Sequence, residues 1–400
     1  MRYFFDIVTW EQRKLGDIAN SFEYGLNVAA KKFDGKNKYI RITDIDDSTH
    51  AFLKDNLTSP NSNLDKIKNY QLKDGDILFT RTGASVGKTY IYEQNDGTVF
   101  YAGFLIRANI CTNYDPEFIF QNTLTERYDN YIKIISQRSG QPGVNAKEYA
   151  EYTLMCPSLL EQKRISSILK RVDELIILQQ RKLSLIEKLR ENISEHIFSP
   201  DIMKFKNIDP EFEIKKLSDI SNIFIGLVTT MTKNYAKNGI LLIRNSNIKE
   251  NNFKFDNYIY LDSKFAEKNK NREMKIGDVV TVHTGDIGTS AVIEPKEENS
   301  IGFATITTRP NNKIINSYYL SDYLNTKKHK NWAVRMSTGD GRRNYNLKDF
   351  TRIRLNVPSL NYQIKIVALI KYLESFSKSE KKKINQLNSL KQFLLQNLFI

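Results

Sequence analysis

Pro157-Ser158-Leu159-Leu160-Glu161-Gln162-Lys163-Arg164-Ile165 returns 201 residues later as Pro358-Ser359-Leu360-Asn361-Tyr362-Gln363-Ile364-Lys365-Ile366. Past each copy, the sequence falls into two series spaced by seven. The first copy gives Ile165, Val172, Gln179, Ile186, Ile193 and Ile168, Leu175, Lys182, Leu189, His196, with Leu169, Ile176, Leu183 and Ile197 widening the stripe. The second gives Ile366, Leu373, Glu380, Leu387, Leu394 and Leu369, Phe376, Lys383, Leu390, Asn397. A seven-residue period belongs to helices that pack along a shared seam. Two helices of about 40 residues, roughly 60 Å long at 1.5 Å per residue, are therefore expected. The polar interruptions choose their direction. Parallel packing would bury Lys182 against Lys383, whereas antiparallel packing sets Lys182 near Glu380 and Gln179 near Lys383, so an antiparallel coiled coil with a polar centre follows. The competing reading is two separate amphipathic helices, each lying on its own domain.

Working outward, the same repeat carries the rest of the chain. Leu15-x-Asp17-Ile18 answers Leu217-x-Asp219-Ile220, Gly75-Asp76-Ile77 answers Gly277-Asp278-Val279, and Thr82-Gly83 answers Thr284-Gly285. Upstream of each heptad stretch, short apolar runs broken by Gly, Asn, Asp and Pro read as strands, among them Tyr39-Ile40-Arg41-Ile42, Asp76-Ile77-Leu78-Phe79 and Phe104-Leu105-Ile106-Arg107. One helix is expected at Pro116 to Ile134 and its counterpart near Ser317 to Trp332. The fold class is mixed α/β: a domain at 1–156, a long helix at 157–198, a Pro-bounded linker at 199–210, a second domain at 211–357 and a second long helix at 358–400. A scaffold that keeps its turns and changes what lies between is suited to one task performed on two different targets.

The net charge of +14 points to a polyanionic partner, because Lys and Arg gain free energy by releasing counterions from phosphates. The excess is uneven: 27 basic against 26 acidic residues in 1–200, and 33 against 20 in 201–400. The first half would have to use a local basic face. Only Cys111 and Cys156 occur, outside any metal-ligand spacing, which argues against a disulfide scaffold or structural zinc. With so few cysteines a reducing cytoplasm is the expected compartment, and no apolar run reaches the roughly 18 residues of a membrane span.

Candidate motifs are mostly negative. Arg81-Thr82-Gly83-Ala84-Ser85-Val86-Gly87-Lys88-Thr89 looks like a phosphate loop, but its glycines are too close and the duplicate lacks the Lys. Asp286, Glu294 and Lys296 mimic a nuclease metal site without a matching set in the first half. What remains are polar, Gly-punctuated loops at equivalent places in both halves. The first half offers Arg81, Thr82, Ser85, Lys88, Arg138, Gln141 and Asn145; the second offers His283, Thr284, Asp286, Lys330, Arg342, Arg343 and Asn344. Arg can grip guanine O6/N7, Asn or Gln can grip adenine N6/N7, and Lys suits phosphate.

Trp10-Glu11-Gln12-Arg13-Lys14-Leu15-Gly16-Asp17-Ile18, the Gly75-Asp76-Ile77-Leu78 strand and the twice-written helix start together resemble the specificity subunit of type I restriction-modification systems over nearly the whole chain. The second helix start departs from the first at Asn361 to Lys365. The resemblance implies two target-recognition domains, each reading half of a split double-stranded DNA sequence, with the paired helices as spacer. It also implies two methyltransferase subunits docked on those helices, and restriction subunits joining them. S-adenosylmethionine, ATP and Mg²⁺ would belong to those partners, with no cofactor on this chain and no chemistry of its own. The junctions at Pro157 and Pro358 are the expected soft points. Two other readings are a site-specific endonuclease acting through Asp286, Glu294 and Lys296, and a coiled-coil adaptor.

Overall fold

A computed structural model of the chain describes residues 10–137, 141–198, 212–229, 232–338 and 343–399. In the first domain, Ala19–Tyr24, Leu105–Ile110, Ile77–Thr80 and Thr89–Ile91 form an antiparallel four-stranded sheet in that order. A parallel pair, Lys38–Ile40 with Val99–Tyr101, and the antiparallel pair Glu11–Lys14 with Thr153–Cys156 complete it. The second domain repeats the plan: Ser221–Ile225, Thr305–Pro310, Val279–Val282 and Ser290–Val292 in one sheet, Ile240–Arg244 parallel to Ile301–Phe303, and Glu213–Lys216 against Arg354–Val357. The linker expected at 199–210 lies outside the described residues.

The Gly-Asp motif that opens the central strand of each domain has a structural job. Gly75 and Gly277 turn the chain at φ of +83° and +87°, a left-handed conformation that favours glycine. The following Asp is almost fully buried. Asp76 accepts from the Lys73 amide and from Asn109 Nδ2, each at 2.8 Å, while Asp278 takes Arg309 in a two-pronged grip at 2.9 and 2.7 Å. A buried carboxylate with several donors is tolerable where an unpaired one would not be.

Each expected mid-domain helix is two. Pro116–Asn122 stops and Glu126–Ile135 restarts; Ser317–Leu324 stops and Lys327–Met336 restarts. Thr125 and Thr326 cause the restarts, each capping the new helix through its hydroxyl.

Two long helices span Leu159–Ile197 and Leu360–Leu398, 39 residues each. The chain divides into two units: Met1–Lys182 with Glu380–Ile400, and Leu183–Ser379. Each unit contains one domain and a length of both helices, and in each the pairing is antiparallel. In the first, Asp173 meets Lys391 at 2.7 Å and Lys182 meets Glu380 at 3.2 Å; in the second, Arg190 meets Glu374 at 3.7 Å. Glu380 has no exposed surface, and bonds from Lys383 and Lys182 hold its carboxyl below the usual range. Gln179 is placed differently from expectation: its buried Oε1 has no partner among the described residues, and Lys383 turns to Glu380 of its own helix at 2.8 Å.

One expected seam is corrected. The buried series is Ile165, Leu169, Val172, Ile176 and Ile186 on one helix, and Ile366, Ile370, Leu373, Ser377, Glu380 and Ile384 on the other. Up to Ile176 on the first helix, and throughout the second series, these steps alternate four and three. Ile168, Leu175, Leu189, Leu369 and Leu390, expected as partners in the seam, are 40–52% exposed. Steps of three and four from one starting residue fit the period about equally well, so the repeat fixed one series and left the hand of the second open.

Each helix start is bonded to its own domain. Gln162 Nε2 donates to the Pro157 carbonyl at 2.8 Å while its Oε1 accepts the Asp115 amide at 3.0 Å. Gln363 does the same to Pro358 and Asn316 at 2.7 Å each, and also donates to the Ile314 carbonyl. Both glutamines are buried. The repeated Gln fastens each helix to its domain across the Pro junction.

Candidate nucleic-acid interface

The loop after the central strand of the first domain starts at Arg81. Gly83 and Gly87 adopt φ of +78° and +87° around a single tight turn, Gly83–Ser85. Gly87 also has no room for a side chain, since a Cβ there would lie 2.6 Å from Ile132. This loop is sewn to the one that precedes helix Ala146–Ala150: Val144 N donates to Arg81 O at 2.9 Å and Gly83 N to Pro142 O at 3.0 Å. The first-domain residues that sequence singled out from 81–85 and 141–145 are thereby brought together. Arg138 lies outside the described residues. Beneath the loop, Tyr149 and Tyr128 brace it, with hydroxyls donating to the carbonyls of Thr80 at 2.7 Å and Gly87 at 2.9 Å.

Within this platform the side chains have separate duties. The Arg81 guanidinium stacks 4.9 Å over the Tyr24 ring, and Tyr24 Oη accepts the Ala146 amide. Thr82 bridges to Gly143, and Ser85 lines the cavity that also receives Lys88. Asn145 caps its helix through a reciprocal pair with Glu148. Lys88 is directed inward, donating to Ile45 O at 2.9 Å and paired with Asp47, with only 11% of its side chain exposed.

The second domain uses the same sewing with other groups. Tyr345 N donates to His283 O at 2.8 Å, Thr284 bridges to Asn344, and Thr284 Oγ1 donates to Asn344 Oδ1 at 2.8 Å. His283 Nδ1 lies 2.8 Å from Thr284 Oγ1, its amide donates to Asn245 Oδ1, and burial pushes its pKa down. Asp286 accepts from Thr289 inside its own turn, Lys330 pairs with Glu250 at 2.6 Å, and Arg343 is exposed. Arg342 lies outside the described residues. Glu294 accepts from Tyr318, away from the bond Asp286 makes. No group of three or more His, Cys, Asp or Glu is arranged to hold a metal ion among the described residues, and no helix among them is long and apolar enough to cross a membrane.

Three residues beside these platforms escaped the sequence reading. Tyr24 is the stacking partner of Arg81. Arg41 is held flat by Asp44 through two bonds of 2.8 Å, and Asn245 anchors the His283 loop. The signal that could have found Arg41 is the duplication itself, since Arg41 and Arg244 occupy the same position in the two copies and each opens a turn closed by Asp44 or Asn247.

Comparison with known proteins follows the same division. The family model described as "Type I restriction modification DNA specificity domain" matches residues 7–188 and again 210–389. A protein named as the MjaX specificity subunit of a type I restriction enzyme, from Methanocaldococcus jannaschii, is 26% identical over 203 residues, 50% of this chain and 47% of that one. The EcoBI specificity subunit of a type I restriction enzyme, from Escherichia coli, is 25% identical over 167 residues, 41% of this chain and 35% of that one. The matches thus span less than half the length of these curated relatives. The crystal structure of a type I restriction-modification S subunit from M. genitalium superposes with a TM-score of 0.61 at 16% identity, covering 100% of this chain and 98% of that one, and so shares the fold. With two copies of the same domain matched across most of its length, the chain belongs to the type I restriction modification DNA specificity family.

Proposed function

We propose that the chain is the DNA-reading subunit of a type I restriction-modification complex and that each domain reads one half of a split double-stranded target. The observation that carries this reading is the repeated platform: two loops sewn together by the same backbone bonds present Arg81, Thr82 and Gln141 in one domain and His283, Thr284 and Asn344 in the other. One geometry with two sets of donors and acceptors is what reading two unlike sequences requires. The charge of +14 supplies the sequence-independent attraction to phosphate. The paired helices set the spacing between half-sites and offer the docking surface for two methyltransferase subunits, with restriction subunits joining in turn. Those partners hold S-adenosylmethionine, ATP and Mg²⁺ and carry out the chemistry in the cytoplasm.

Selection of randomised duplexes by the full chain with its co-purified partners tests this. The expected result is a consensus of two short blocks separated by a fixed unread gap. A single block, or no consensus, overturns the reading, and Mg²⁺-dependent cutting by the purified chain alone would favour the endonuclease instead.

A further inference from the structure

The first domain carries an exposed aromatic ring beside its reading loop that the second domain lacks. Phe104 is 59% exposed. Single exposed apolar residues are common and need no explanation. Phe104 differs because its backbone is tightly braced and its neighbours are cationic. The turn is closed by Leu105 N donating to Ala102 O at 2.9 Å, and the Arg81 amide donates directly to the Phe104 carbonyl at 3.0 Å. Ala102 N is fastened to Ile40 O at 3.0 Å. Gly25 presses so closely on this turn that a Cβ would lie 2.1 Å from Ala102 O. Phe104 therefore stands on a fixed mount, and little conformational freedom remains to be lost on binding.

Around it lies a cleft of about 730 Å³ whose walls include Tyr24, Asn27, Tyr39, Arg41, Arg81 and Phe104. Two guanidiniums are already oriented there, Arg81 on Tyr24 and Arg41 on Asp44. Planar, oriented cations beside an apolar ring complement an anionic backbone with stacked aromatic faces inside it. The duplicate supplies an internal control. Strand register sets Thr80 opposite Leu105 and Val282 opposite Thr305, so the counterpart of Phe104 is Ala304 and that of Arg81 is His283. The wedge-bearing turn is a property of one domain.

From this arrangement we infer that Phe104 is a wedge that enters a base step of the half-site bound by the first domain, with Arg81 and Arg41 gripping the DNA on either side. The inference rests on the DNA-reading function proposed above. Part of the specificity of that half-site then comes from how easily a step opens, while the other half-site is read without this distortion.

The test uses the full chain with its partners and the duplex obtained by selection, carrying 2-aminopurine at successive positions in each half. With the native chain, beyond any base that the methyltransferase partners extrude in either half, fluorescence is expected to rise at one further step of one half only. Phe104→Ala abolishes that rise and weakens binding on the order of tenfold, as expected for loss of one base–aromatic contact. Phe104→Leu, which keeps an apolar wedge, retains part of both. Thermal melting of each variant separates misfolding from loss of the contact. A two-block consensus with no rise beyond the bases extruded by the partners, or a further rise that persists in Phe104→Ala, overturns the wedge alone. Failure to obtain any two-block consensus overturns the DNA-reading function and the wedge with it.

Discussion

The two reading platforms share their backbone and differ in what braces it. In the first domain Tyr128 and Tyr149, both fully buried, support Gly87 and Thr80 through hydroxyl groups that burial keeps protonated. In the second, buried His329 takes that place, 3.4 Å from where a Cβ on Gly288 would lie, with Nδ1 2.6 Å from Leu324 O and Nε2 3.2 Å from Tyr345 Oη. Above the braces, one domain carries Arg81 stacked on Tyr24 and the other carries His283 with Thr284 and Asn344. Under the proposed function, changing the surface while retaining the sewn loops would alter what is read without altering where it is read. Among the described residues, the second platform rests on a histidine where the first rests on tyrosines.

The strongest challenge to this separation is structural. Leu169 is fully buried in the first unit's core, and Leu169→Ala should cost that unit about 2–5 kcal/mol. Calorimetry is expected to show one transition lowered and the other unmoved; a common shift would mean the units do not melt independently. Next in size is recognition. Arg81→Ala should relax one position of a single half-site by about 1–3 kcal/mol, and Asn344→Ala one position of the other, as read by methylome sequencing of cells carrying the complete system. Loss at both halves from either substitution would break the one-domain, one-half correspondence.

Acidity sharpens the contrast further. Burial lowers the His329 pKa to about 4, below the 6.5 of the unfolded chain, so the native state resists protonation. The stability contributed by neutral His329 is present above about pH 6.5 and is lost as pH falls toward about 4. Asp322, raised to about 7 by burial, acts in the opposite sense: its contribution is present at low pH and lost as pH rises through about 7. Denaturation of Asp322→Asn against Asp322→Asn/His329→Gln isolates the histidine, and the acid-side loss should flatten in the double variant. His50 of the first unit, also shifted down by burial, bonds Thr89 O and lies off the tyrosine brace. The smallest effect concerns the helix seam. Lys182 is 44% exposed and Lys383 still holds the buried Glu380, so Lys182→Met should change stability by only about 0.2–1 kcal/mol in thermal melts.

How much of this was legible in the sequence depends on the length of the signal. The two helices, their antiparallel sense through Lys182 and Glu380, and the duplicated domains were readable because each rests on many positions repeating together. The second seam series was legible only in part: Leu169 and Ile176 stood on the widened stripe beside Ile168 and Leu175, and only packing chooses between them. Gly83, Gln141 and Asn145 were found as loop residues by composition, yet composition could not tell that Asn145 caps a helix or that Lys88 points inward. Those assignments depend on Glu148 and Asp47, partners whose role appears only once the chain is folded.

The first domain's hydrophobic core includes Leu395, with Leu394, Leu398 and Phe399 packed against it, and the Phe399 ring lies 5.0 Å from that of Phe118. A ribosome therefore releases residues 10–182 long before the segment that finishes their core has been made, and the whole second domain is translated in between. The nascent first domain must persist with an uncovered apolar face during that interval, and it matures last although it is synthesised first.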